Sequence, residues 1–173
     1  MAKSDGKTVA ILVEDLYQEL EIWYPAYRLR EAGHSTVFLG TGKPEYKSKL
    51  GYPCKAEGDI KEVRARDFDG VIVPGGYAPD YLRRSQPMLD FVAQTDKAGK
   101  VIGSICHAAW VLCSAKILKG RTATCFHAIK DDVIHAGAKY VDQEVVVDKN
   151  LVTSRKPDDL PAFMREFLSV LEA

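Results

Sequence analysis

Three short runs in this chain lack the polar alternation of a half-exposed strand. They are Thr8-Val9-Ala10-Ile11-Leu12-Val13, the stretch Val71-Ile72-Val73 after Phe68-Asp69-Gly70, and Val101-Ile102-Gly103-Ser104-Ile105. Continuous apolar runs of this length predict strands buried on both faces, as in a parallel sheet. A helical pattern follows each. Leu20, Trp23, Tyr24 and Tyr27 fall on helical spacing with a stop at Gly33, and Pro25 is expected near the first turn or at a kink. Residues 86–98 read as a helix ending at Gly99, and residues 107–115 as a buried helix. Strands alternating with helices imply a parallel sheet covered on both sides.

The remaining elements fit that frame. Residues 36–39 read as a short strand, 40–58 as loops with a hairpin, 122–126 as a strand and 129–135 as a helix. Val145-Val146-Val147, Asp148-Lys149-Asn150 and Leu151-Val152-Thr153 form a hairpin pattern. Leu160, Phe163, Met164, Phe167, Leu168 and Leu171 mark the apolar stripe of a C-terminal helix. A length of 173 residues suits a single domain over 1–173.

Composition excludes several functions. Lys plus Arg and Asp plus Glu both number 24, so no charge excess draws the chain to nucleic acid or an anionic membrane. The charge-free run between Lys100 and Lys116 is shorter than the ~20 apolar residues of a membrane span. The start, Met1 to Lys7, shows no apolar stretch of a secretory signal. Cys54, Cys106, Cys113 and Cys125 form no C-x-x-C pair, which argues against a zinc ribbon or thioredoxin-type site and for reduced thiols in the cytoplasm. No metal-ligand spacing and no phosphate-binding G-x-x-x-x-G-K-[ST] loop is present, so neither metal nor cofactor is expected.

Ligands of parallel α/β folds bind beyond the carboxyl ends of the strands. Three segments should meet there: the loop after Val13, the turn at Gly75-Gly76 and the turn at Cys106. Ser104-Ile105-Cys106-His107-Ala108 places a cysteine where a strand enters a helix, the cysteine version of a nucleophile elbow. A helix N-terminus there favours thiolate, and the His107 N–H can face a developing oxyanion. Cys106 should then be the most reactive thiol, with Cys113 shielded two helical turns on. The alternative is a small buried residue between strand and helix. Paired glycines at Gly75-Gly76 let backbone approach a ligand, with the Gly76 N–H as a second oxyanion donor, or form an ordinary tight turn. Glu21 can reach the sheet edge from the first helical turn and hydrogen-bond the Cys106 sulfur, although acids at a helix start also suit its dipole. Beside a thiolate in a partly buried pocket, its pKa should rise enough to keep it protonated near neutral pH. Adjacent helical residues do not face each other, so spacing does not make His107 the base for Cys106. His34 and His135 read as exposed helix-end residues, and His127 as a further candidate for the pocket lining.

In these segments the sequence resembles the PfpI family, the cysteine peptidase and deglycase branch of the glutamine-amidotransferase-like superfamily. The carriers are Glu21 ahead of Tyr24-Pro25, Val73-Pro74-Gly75-Gly76, Ala78-Pro79-Asp80, Ser104-Ile105-Cys106-His107, Ile129-Lys130-Asp131-Asp132, Asp142-Gln143-Glu144-Val145-Val146-Val147-Asp148 and Thr153-Ser154-Arg155. The resemblance implies a flavodoxin-like three-layer sandwich with Cys106 as nucleophile and Glu21 bonded to its sulfur. It implies oxyanion donors at Gly76 and His107, and a substrate pocket bounded by Gly75, Tyr77, Trp110 and Phe126. It implies Asp80 paired with His107 of a neighbouring subunit, in homodimers or hexamers. Small carbonyl compounds and glycated proteins or peptides are the implied substrates, with roles in stress protection. Three positions depart from the pattern: Ala108-Ala109 replaces Gly-Pro, Gln18 replaces a glutamate and Phe126 replaces a tyrosine. Two functions follow from one thiol: a cysteine hydrolase or deglycase, or a redox-sensing or chaperone-like stress protein whose Cys106 is oxidised.

Overall fold

The computed structural model describes residues 6–173. The start of the chain, Met1 to Asp5, where the sequence shows no secretory signal, lies outside the described residues. A seven-stranded sheet forms the centre. Its strands are β1 (Thr8–Leu12), β2 (Ser35–Gly40), β5 (Gly58–Asp59), β6 (Gly70–Val73), β7 (Val101–Ile105), β10 (Val145–Asp148) and β11 (Leu151–Ser154). The spatial order is β10-β11-β7-β6-β1-β2-β5, and every pairing is parallel except β10 with β11.

The apolar runs divide their residues between two cores. Val9, Ile11 and Val13 face α1 (Glu19–Glu31) and α6 (Leu160–Glu172), packing with Ile22, Leu29, Phe163 and Phe167. Ala10 and Leu12 face the other layer, α2 (Ala78–Leu82), α3 (Gln86–Lys97), α4 (Ala109–Ser114) and α5 (Lys130–His135). Both faces are covered, which is why the strands carry no polar alternation. The result is the expected three-layer α/β sandwich with a mostly parallel sheet.

Two local expectations change. Pro25 lies in the second turn of α1 and is buried, so packing of that face offsets the hydrogen bond a proline removes. The expected strand over residues 122–126 is shorter: β8 (Thr122–Ala123) pairs in parallel with β9 (Lys139–Tyr140). The chain then leaves the ladder, and the Phe126 N–H donates to the Cys106 carbonyl at 3.1 Å. The hairpin expected within 40–58 is β3 (Glu45–Lys47) with β4 (Pro53–Lys55).

Gly103 lets α6 approach β7. A Cβ there would lie 2.7 Å from Phe163 Cζ and 2.8 Å from Phe167 Cδ2, and both rings are fully buried. Replacing Gly103→Val is expected to lower unfolding free energy by roughly 1–3 kcal/mol through overpacking. Urea unfolding measures this, and an unchanged midpoint would contradict the packing described.

Candidate active site

The three strand-end segments meet as expected, through backbone contacts that reach across the sheet edge. Residues 16–18 run between the Gly75-Gly76 turn and the tip of the β3–β4 hairpin. Tyr17 bridges to both Gly76 and Ser48. The Tyr77 N–H donates to the Leu16 carbonyl at 2.9 Å, and the Lys49 N–H to the Tyr17 carbonyl at 3.1 Å. This strap ends at Gln18, which caps α1 by accepting from the Leu20 N–H at 2.9 Å. Glu21 therefore enters the sheet edge from the first turn of α1.

Glu21 is fully buried. Its Oε2 accepts from the Gly75 N–H at 2.7 Å. Its Oε1 is buried without a hydrogen-bond partner. No side chain fits at position 75, where a Cβ would stand 2.6 Å from Glu21 Oε2 and 2.7 Å from Cys106 Cβ. Gly76 has φ +76°, and a Cβ there would meet the Leu16 carbonyl oxygen at 2.5 Å.

Cys106 sits at the end of β7 with φ +62°, a left-handed conformation that costs a non-glycine residue about 1–3 kcal/mol. A short 3-10 turn, Cys106–Ala108, then leads into α4. This break from regular helix brings Cys106 Sγ within 3.2 Å of His107 Nδ1. The facing rule for adjacent residues holds only on a continuous helix, so the pair forms where spacing did not assign it. The His107 ring stacks on Phe126 (centroids 4.8 Å) and meets the edge of Trp110 (5.2 Å).

Burial works against the thiolate expected at the elbow. Burial pushes the Cys106 thiol up to about 12, the Glu21 charge adds to the rise, and the Gly76 and His107 amides oppose it. Burial is the largest cause of that rise and opposes the thiolate that a helix N-terminus favours. Burial likewise pushes Glu21 up to about 8, against the Gly75 N–H and the Cys106 thiol, so Glu21 is protonated at neutral pH as expected. Removing that charge relieves the like-charge part of the Cys106 shift. Burial lowers the His107 pKa first, then the fields of His127 and Lys49. A neutral imidazole, able to take a proton, thus stands beside a buried thiol.

Exposure does not single out Cys106 among the thiols. Its residue is 8% exposed, whereas Cys113, expected to be shielded, is the more exposed of the two. Cys54, Cys113 and Cys125 are also shifted upward by burial, to about 12, 11 and 12. What distinguishes Cys106 is its strained backbone and its neighbours, His107 and Glu21.

These groups line a cleft of about 520 Å³ together with Gln18, Lys49, Gly76, Tyr77, Trp110, Phe126 and Pro157. The expected lining residues Gly76, Tyr77, Trp110 and Phe126 are all there. Gly75 lies just behind, holding Glu21. Sequence reasoning missed Lys49 and Pro157. Asp80 does not reach this cleft: within its own chain it pairs with Arg84. Asp80 lies in the first turn of α2, which starts at Ala78. His127 is exposed, with its ring against Phe126. The His34 side chain is only 9% exposed and its Nε2 pairs with Glu172 at 3.0 Å, contrary to the expected open position, whereas His135 is exposed. Among the described residues, no group of three or more His, Cys, Asp or Glu is placed to hold a metal ion, and no helix is long and apolar enough to cross a membrane.

A left-handed cysteine on a strand-to-helix elbow, backed by a buried acid in a three-layer sandwich, places this chain in the class of α/β proteins built around a cysteine elbow. The chain matches the DJ-1/PfpI family over residues 7–170, and it belongs to that family. It is 41% identical over 171 residues to Protein/nucleic acid deglycase 2 of Escherichia coli, covering 97% of this chain and 99% of that one. It is 40% identical over 172 residues to General stress protein 18 of Bacillus subtilis, covering 96% and 99%. A crystal structure from Anabaena variabilis, a two-domain protein with DJ-1/ThiJ/PfpI-like and ferritin-like domains, superimposes with a TM-score of 0.93 at 41% identity. That match covers 96% of this chain and 48% of the other.

The Glu21 shift has a consequence for stability. In the unfolded chain a glutamate ionises near its ordinary 4.5, whereas in the fold it keeps its proton to about 8. Between these values the native state binds more protons, so stability falls as pH rises. Glu21→Gln, which has no proton to lose, should gain on wild type as pH rises from 5 to 8, by roughly 1–4 kcal/mol. Urea unfolding at the two pH values checks this; an equal difference between the proteins at both would contradict a buried, protonated Glu21.

Proposed function

We propose that the chain is a cysteine-dependent hydrolase acting on carbonyl adducts or peptides in stress protection. The observation that carries this reading is the contact of Cys106 Sγ with a neutral His107 Nδ1 at 3.2 Å, on a residue held at φ +62°. Strain of this kind concentrates at functional sites. On attack, the thiol proton passes to His107 Nδ1 and the sulfur bonds to the carbonyl carbon. The carbonyl electron pair moves to oxygen, facing the N–H groups of Gly76 and His107. Collapse expels the amine or alcohol, which takes the proton from His107. Water then hydrolyses the thioester, releasing the acid and restoring the thiol. Glu21, uncharged, contributes no repulsion to the sulfur as charge develops there. The aromatic walls at Tyr77, Trp110 and Phe126 receive the apolar part of the substrate, and no cofactor is required. The names of the relatives, a deglycase and a general stress protein, support this class of activity.

Wild type and Cys106→Ser assayed against methylglyoxal, a glycated peptide and a fluorogenic peptide test this reading. Turnover of at least one by wild type, with loss of 100-fold or more in Cys106→Ser, is expected; a loss of this size is what removing a nucleophile entails. No turnover, with stoichiometric oxidation of Cys106 to sulfinic acid, would favour the sensing function instead.

The site is completed, in our reading, across a homodimer interface. His107 Nε2 has no hydrogen-bond partner in its own chain among the described residues, which leaves that nitrogen for Asp80 of a second copy. Leu20, Tyr24 and Tyr27 on α1, with Leu50, Tyr52 and the cleft residue Tyr77, are large exposed apolar residues, and clustered exposed apolar side chains mark association surfaces. Mixing inactive Cys106→Ser with inactive Asp80→Ala should restore part of the activity, since some mixed interfaces carry one intact site. A fully active monomer, or no recovery in mixtures shown to exchange subunits, would rule out the shared site.

A further inference from the structure

Lys49 is the one lysine or arginine among the residues that line the Cys106 cleft. Among its lining side chains only Gln18, Glu21, Lys49, His107 and the Tyr77 hydroxyl are polar enough to set the field, together with the thiol itself. Gln18 has no charge. Burial shifts Glu21, Cys106 and His107 each toward its uncharged form. Lys49 remains, at the cleft mouth, and it makes no salt bridge among the described residues. Its field reaches the chemistry, since it lowers the pKa of both Glu21 and His107.

Lys49 is placed rather than loose. It lies beyond β3 at the tip of the hairpin, and its backbone N–H is bound to Tyr17, the residue that bridges Ser48 to the oxyanion-side Gly76. The strap that builds the oxyanion turn therefore also fixes where this cation enters the cleft. The rest of the wall is aromatic or apolar: Tyr77, Trp110, Phe126 and Pro157.

We propose that Lys49 is a specificity-determining residue that selects carbonyl substrates bearing a carboxylate or phosphate close to the reacting carbon. This rests on the hydrolase reading for its substrates, but the charge selection itself belongs to the cleft and can be measured without turnover. A cation at an exposed rim is partly screened, so its effect on an anion is modest, about two- to fivefold in rate.

The experiment compares alkylation of Cys106 by iodoacetate and by iodoacetamide, followed by peptide mass analysis in wild type, Lys49→Gln and Lys49→Arg. Both reagents meet the same sulfur, so changes in its ionisation cancel in the rate ratio. The iodoacetate-to-iodoacetamide ratio should fall about two- to fivefold in Lys49→Gln, hold in Lys49→Arg and shrink as salt is raised. The ratio at Cys113 serves as the internal control and should not change. Equal Cys106 ratios in wild type and Lys49→Gln would overturn the proposal. A second arm uses methylglyoxal hemithioacetals of N-acetylcysteine and of its uncharged amide. Each takes up one water to give lactate and free thiol, the aldehyde carbon being oxidised and the ketone carbon reduced. Consumption of both adducts at a ratio indifferent to Lys49 would overturn the proposal while leaving the hydrolase reading intact. A Lys49-dependent alkylation ratio with neither adduct consumed would support charge selection by the cleft and count against methylglyoxal adducts as the substrates of the hydrolase reading.

Discussion

The carboxyl edge of the sheet depends on one close approach. The Gly75 N–H meets the Glu21 carboxyl at 2.7 Å, with Cys106 Cβ against the same glycine and no room for a side chain between them. That contact joins β6, α1 and the β7 elbow at a single point. The left-handed backbone of Cys106 is held there by its neighbours: the Phe126 N–H on its carbonyl, the ring of His107 on Phe126, and the small Ala108 buried beneath. A strained residue persists only where its surroundings over-determine it, and here they come from three separate strand ends.

The same crowding sets the chemistry. Burial raises both acids of the site and lowers His107, shifting each toward its uncharged form. In the proposed attack, charge would develop beside the amides of Gly76 and His107, which act on the Cys106 sulfur. With burial opposing charge inside, the cation at the rim acquires weight it would not have beside an ionised Glu21.

Much of this was legible in the sequence. Strands covered on both faces announce themselves as unbroken apolar runs, and α6 as a helical stripe, because burial leaves no position free to be polar. Cys106 was visible at a strand-to-helix junction, and Glu21 at the first turn of α1. What was not legible depends on context beyond the local pattern. Pro25 continues through a helix whose packing overrides its missing N–H. The Cys106–His107 contact forms in a 3-10 turn entered at a left-handed residue, which no spacing rule anticipates. The thiol's raised pKa follows from burial that the helix-end argument did not include. Lys49 lines the cleft from a hairpin strapped through Tyr17 to Gly76, a contact between segments far apart in the sequence. The direct side-chain partner of Asp80 in this chain, Arg84, lies one helical turn on, and a partner in a second chain lies outside any single-chain pattern.

The central claim is that a buried, protonated glutamate stands behind Cys106. Carbon-13 NMR titration of the Glu21 carboxyl, assigned by its loss in Glu21→Gln, measures this directly. The account predicts a carboxyl that stays protonated through pH 7 and titrates near 8, with the titration moving in Cys106→Ser because the two groups share one site. A carboxyl that titrates near 4.5, as an exposed glutamate does, would contradict it.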